Sequence, residues 1–161
     1  MLFRSGRIAL PSSGEVMFMP RHPYVPLGTL RAALAYPSPE TTYHDEELAA
    51  VLKSASLDRL SSLLDRTERW ERELTDDEQQ FLVFARIALH KPRWVIIDEV
   101  LDSLDDDARD RVISLFNGAL KEAAIVNIGR PETQHPFFNR ILHLIKDPRG
   151  VCFIPADAKR S

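Results

Sequence analysis

Apolar positions along the chain fall into short continuous runs separated by spaced stripes. Residues 17–19 form an apolar triplet ended by Pro20, and a proline-punctuated stretch (Pro20, Pro23, Pro26, then Gly28) leads into residues 29–34. This predicts strand, loop and short helix. After Pro37 and Pro39 break the chain, apolar residues recur at Leu48, Val51, Leu52, Leu57, Leu60, Leu63 and Leu64. Such three-and-four spacing predicts two amphipathic helices joined near residues 54–57. Thr75-Asp76-Asp77-Glu78 places a hydroxyl three residues before a carboxylate, the capping-box pattern, ahead of an apolar helical run over 81–89 that Pro92 stops.

Residues 94–97 (Trp-Val-Ile-Ile) are continuously apolar and end in Asp98 and Glu99. That suits a strand buried on both faces with its carboxylates at the C-terminal end. Residues 105–121 carry Val112, Ile113, Leu115, Phe116 and Leu120 at helical spacing, and 124–128, 141–145 and 151–154 are further buried-strand candidates. Strands alternating with helices predict one α/β domain on a parallel sheet, with functional groups at the strand C-termini.

Composition narrows the function classes. The 161 residues are 44% hydrophobic and 28% charged, and 21 basic against 24 acidic residues give a net charge of −3. No basic excess speaks for nucleic acid or an anionic membrane as a direct partner. The single cysteine, Cys152, sits in an apolar run and reads as a small buried residue, which fits a reducing cytosol. No stretch approaches the roughly 18 apolar residues of a spanning helix, and the first residues lack the apolar run of a signal peptide, so direct membrane insertion is not expected. His22, His44, His90, His135 and His143 show no paired metal-ligand spacing.

The order of four elements carries the chemistry: a helical region, a capped helix opening with Leu74-Thr75-Asp76-Asp77-Glu78-Gln79-Gln80, a buried strand ending in Asp98-Glu99, and Leu104-Asp105 soon after. This order resembles the ATP-binding-cassette (ABC) transporter nucleotide-binding domain, whose signature LSGGEQQ precedes a Walker B strand ending in DE and a D-loop reading SALD. Trp70 before the signature, Phe84-Ala85-Arg86 after it and Lys91-Pro92-Arg93 before the strand extend the likeness. So do Phe18-Met19-Pro20, Pro23-Tyr24 and Pro26-Leu27-Gly28-Thr29-Leu30-Arg31. The wording is closest to fused exporters of the peroxisomal fatty-acyl and bacterial vitamin B12 and peptide transporter type.

The resemblance implies a partial P-loop NTPase (RecA-like) parallel sheet with an inserted helical subdomain over about 38–92, within a single partial domain spanning 1–161. It assigns Asp98 to Mg²⁺ through water and Glu99 to the water that attacks the γ-phosphate; a solvated acidic pair at a strand end is the alternative. It places Thr75, Asp76, Asp77, Glu78 and Asp105 at bound ATP, Arg21 at the Q-loop glutamine position and Arg130 at the switch histidine. The implied partners are a transporter membrane domain and a second nucleotide-binding domain, at the cytoplasmic face of a membrane.

Several positions depart from that pattern. The 161 residues contain no GxxxxGK[ST], so the Walker A strand and loop are expected to be missing, with Gly6-Arg7-Ile8 corresponding to the segment after them. Asp76 and Asp77 replace the signature glycines, and each aspartate at roughly 6 Å from a phosphate, with an effective dielectric near 20, costs on the order of 3 kcal/mol per charge pair. Equally, Thr75 caps the helix, Glu78 reaches back, and the two acids suit the positive helix end. Arginine neutralises phosphate but cannot accept a hydrogen bond from water. Arg21 and Arg130 are therefore expected either to compensate Asp76 and Asp77 or to be solvated surface residues. Two functions follow: an ATP-hydrolysing domain fragment of an ABC transporter, energising transport when complete, or a non-hydrolytic degenerate cassette that dimerises or couples to membrane-domain helices.

Overall fold

The computed structural model describes residues 15–130, 136–147 and 150–155; the Gly6-Arg7-Ile8 expectation lies outside them. The chain divides into two compact units, Met1–Ile128 and Gly129–Ser161.

In the first unit, strand β1 (Val16–Met19) is followed by the two-residue β2 (Gly28–Thr29) and helix α1 (Leu30–Ala35). The Thr29 hydroxyl starts α1 by accepting from Ala32 N–H at 3.0 Å. A 3₁₀ turn (Glu40–Thr42), α2 (Asp45–Ser54) and a second 3₁₀ turn (Asp58–Leu63) follow, so the helix pair read from the leucine spacing is one α-helix and one tighter turn. Next come β3 (Thr67–Glu68), α3 (Trp70–Glu73), α4 (Asp76–His90), β4 (Trp94–Asp98), α5 (Val100–Ser103), α6 (Asp106–Asn117) and β5 (Ala124–Ile128).

β2 and β3 pair antiparallel, and Trp70, 2% exposed, donates its indole N–H to Gly28 O at 3.0 Å. Gly28 has φ +128°, a conformation open to glycine and strained for other residues, which lets the chain turn into α1 beneath that indole.

α4 organises this unit. All nine residues from Phe81 to Leu89 are buried, the pattern of a helix covered on every side. α1 and α2 pack against it, and Phe84 meets Phe116 of α6 edge-on at 6.1 Å. Each fully buried Leu, Ile or Phe here contributes roughly 1.5–3 kcal/mol relative to exposure. The helix ends at Lys91, which adopts the left-handed conformation with its N–H on Ile87 O at 3.0 Å.

The sheet is three-stranded and parallel, in the order β1-β4-β5, with Met19 beside Ile97 and Asp98 beside Ile128. This is mixed α/β architecture, as in part of a RecA-like P-loop domain. β4 departs from the expectation of burial on both faces. Val95 and Ile97 are fully buried, whereas the alternate residues Trp94, Ile96 and Asp98 are not; Trp94 is 41% exposed. The same face carries Phe18, Val126 and Ile128, all about half exposed. Side chains alternate across a strand. The apolar run of β4 therefore supplies two faces, of which one is covered.

In the second unit, β6 (Leu142–Asp147) pairs antiparallel with β7 (Gly150–Pro155) from Leu142 beside Pro155 to Asp147 beside Gly150. These runs were expected in the parallel sheet. The correction has a simple cause: only Pro148 and Arg149 separate them, and a parallel crossover needs a dozen or more residues, whereas a two-residue link joins antiparallel strands. Cys152 lies on β7.

Candidate functional site

The C-terminal ends of β1, β4 and β5 lie side by side, and the charged residues follow from that register. Asp98 is the last residue of β4, half-buried and opposite Ile128. Glu99 bridges β4 to α5 with φ 57° and ψ 5°, and its N–H donates to Ile128 O at 2.8 Å. A non-glycine residue there carries roughly 1–2 kcal/mol of strain. Such strain recurs where a side chain must be presented at a fixed place. Arg21, two residues beyond β1, donates from Nη1 to Glu99 Oε2 at 3.3 Å, with the two side chains 56% and 44% exposed.

The segment 74–80 builds a helix start. Thr75 accepts from Glu78 N–H at 3.3 Å, and the Glu78 carboxylate accepts from Thr75 N–H at 3.0 Å, the reciprocal capping box. Arg59 forms an ion pair with the same carboxylate. Partial burial pushes the Glu78 carboxyl up, but the Arg59 and Thr75 hydrogen bonds and the Arg59 charge outweigh it and hold the group below its ordinary range. Asp76 and Asp77 are exposed in the first turn, where the helix dipole favours acids. Gln79 donates to Glu71 O and Leu74 O. Since the Thr75 oxygen acts as acceptor in the cap, its hydroxyl proton remains available to a ligand.

Asp105 caps α6 by accepting from Ala108 N–H at 2.7 Å. Arg109 donates to Leu101 O at 3.2 Å and Leu104 O at 2.9 Å and pairs with Asp106, so the α5–α6 connection is pinned from the helix that follows it.

Curated proteins are similar to this chain over most of its length. An uncharacterized ABC transporter ATP-binding protein of Haemophilus influenzae is 32% identical over 131 residues, 81% of this chain and 22% of that protein. A Synechocystis protein of the same description is 37% identical over 103 residues, 62% of this chain and 16% of that protein. The chain is a homologue of ABC transporter ATP-binding proteins. ATP-binding cassette sub-family D member 3 of mouse is 29% identical over 117 residues, 68% of this chain and 18% of that protein. The chain thus spans about a fifth of the length of the curated relatives it matches. No family model matches it.

Within this cassette segment the structure joins Arg21 to Glu99, and Glu99 to the end of β5. It assigns Thr75 and Glu78 to the start of α4 and Asp105 to the start of α6. The ion pair of Arg21 is with Glu99 and not with Asp76 or Asp77. Arg130 stands two residues beyond β5, in the second unit.

Among the described residues, the donors at β4 do not by themselves make a complete divalent-cation site. Glu99 is engaged by a guanidinium, and no group of three or more His, Cys, Asp or Glu among the described residues could hold a metal. No helix among the described residues is long and apolar enough to cross a membrane.

Two arginines escaped the sequence reading as organising residues. Arg86 sits within the buried run of α4, 5% exposed, donating to Ala33 O at 2.9 Å and Tyr24 O at 3.1 Å. A lone cation among nine consecutive core positions was the available signal. Arg109 had none, since its carbonyl acceptors lie in an irregular connection.

Proposed function

We propose that the chain is the C-terminal portion of an ABC-transporter nucleotide-binding domain, and that it supplies the carboxylate strand end and the capped signature helix to an ATP site whose phosphate-holding residues come from elsewhere. The observation that carries this reading is the strand end itself. Asp98 and Glu99 close the central strand of a parallel sheet, Glu99 in a left-handed turn bonded to β5, in a chain homologous to ATP-binding proteins. In this type of sheet, ligands bind at the carboxyl ends of the strands.

In that role Glu99 would orient the attacking water and Thr75 would present its hydroxyl proton to a phosphate of the nucleotide held by an opposing domain. Asp76 and Asp77 oppose the same phosphate, and Arg21 occupies the Glu99 carboxylate. These features favour the degenerate form of the cassette, retained for dimerisation or for coupling to a membrane domain, over a hydrolytic one. Asp105 serves the site by starting α6 and fixing the turn before it.

Calorimetric titration of the 161-residue chain with ATP tests the proposal. It should give no binding tighter than millimolar, and uptake of labelled ATP by the longer protein should fall on Thr75→Ala. Micromolar affinity of the chain alone would overturn the dependence on residues from elsewhere.

A further inference from the structure

We propose that Arg21 is the resident cation of the β4 carboxylate end, a guanidinium standing in place of a divalent metal. This deepens the nucleotide-site reading and rests on it for its functional meaning.

The contact is imposed by the fold. β1 and β4 run parallel with Met19 beside Ile97, so Arg21 and Glu99 stand at equivalent places, each two residues further along its strand. Parallel register therefore delivers a positive and a negative side chain to the same spot from segments 78 residues apart. The Glu99 backbone is fixed twice, by its left-handed conformation and by its N–H on Ile128 O, which sets the point from which the carboxylate reaches out.

The chemistry then disfavours a competitor. Mg²⁺ takes a near-octahedral oxygen shell at about 2.1 Å, and Mn²⁺ likewise favours oxygen ligands; a fixed positive charge beside the carboxylates repels either ion. With Arg21 at 3.3 Å from Glu99 Oε2, a divalent ion bound at Asp98 and Glu99 must stand beside the guanidinium charge, and one that takes Oε2 must displace it. Both side chains are about half exposed, so water and salt weaken the repulsion; an effect of roughly tenfold on affinity is expected, not one of many decades. Glutamine at position 21 would lift that repulsion and add a neutral oxygen ligand, whereas lysine would keep the charge.

Mn²⁺ alone, without nucleotide, is the probe, titrated into the full 161-residue chain and followed by electron paramagnetic resonance. Failure here is thereby separate from failure to bind ATP. Arg21→Gln should bind Mn²⁺ roughly tenfold more tightly than the unsubstituted chain, Arg21→Lys should match the unsubstituted chain, and Asp98→Asn added to Arg21→Gln should remove the gain. The difference should also shrink in 0.5 M salt, as about 4 Å of screening length demands. Equal affinity in the unsubstituted and Arg21→Gln chains, no binding by either, or an equal gain in Arg21→Lys would each overturn the proposal.

Discussion

Replacing Arg86 tests whether a buried cation without a carboxylate partner holds the helical layer together. Its guanidinium donates to the carbonyls of Ala33 and Tyr24 and lies 5.5 Å from the centre of the Tyr36 ring, while Nη2 is buried with no hydrogen-bond partner. Burial lowers its pKa from the ordinary arginine range to about 10, against a smaller raising effect from Tyr36 and Tyr24. A lowering of that size corresponds to roughly 3 kcal/mol spent keeping the charge.

Two hydrogen bonds from a charged donor contribute roughly 1.5–3 kcal/mol each, and the ring contact roughly 1 kcal/mol. The gains exceed the cost by a small margin, so Arg86→Leu should lose about 2 kcal/mol. Arg86→Lys keeps the burial cost but cannot span both carbonyls with one compact, strongly hydrated ammonium, and should lose about 3 kcal/mol. Because the native pKa is lowered, the unfolded chain holds more protons only above about pH 10. Stability from this group is therefore flat at neutral pH and rises with pH beyond that point. Urea unfolding followed by far-ultraviolet circular dichroism at pH 7.5 gives the midpoints. A lysine variant within about 0.5 kcal/mol of the parent, or more stable than the leucine variant, would refute the two-carbonyl fork.

Two further outcomes follow from groups already described. Thr75→Ala removes the hydroxyl that caps α4 and should cost about 1 kcal/mol, readable as a lower urea midpoint at unchanged slope. His90 is half-buried beside Arg86, with Nδ1 3.1 Å from the Tyr43 hydroxyl; burial, helped by the Arg86 charge, lowers its pKa despite the Ala35 and Tyr36 carbonyls. The unfolded chain then takes up a proton first, so stability should fall as pH drops below 6.5 toward the lowered native value, and His90→Gln should lose less between pH 7.5 and 5.5 in the same assay.

The elements with a strong local signal were legible before any coordinates. Thr75 and Glu78 specify the start of α4 through contacts three residues apart, and the apolar run before Asp98 specifies β4, because both signals are confined to a few neighbouring residues. What sequence could not give was cross-chain geometry. Pairing of Arg21 with Glu99 needs the β1–β4 register, and without it the sequence offers Arg21 only compensation of Asp76 and Asp77 or a solvated surface place. The half-exposure of Trp94 has the same origin: an apolar side chain reads as core whether or not another layer lies over it. That Asp105 starts α6 was not read from the sequence either, since the cap needs the helix boundary to be known. The hairpin of β6 and β7 was not legible because a short apolar run does not name its partner, although the few residues between the runs 141–145 and 151–154 are too short a link for a parallel crossover.

The two tryptophans divide the molecule optically. Trp70 is enclosed and should emit in the blue, while Trp94, 41% exposed on the bare side of the sheet, should emit further to the red. Any layer laid over Phe18, Val126 and Ile128 would dry that second indole and shift its colour alone. The protein thus carries a built-in gauge of whether that face is covered, legible in a cuvette without a label.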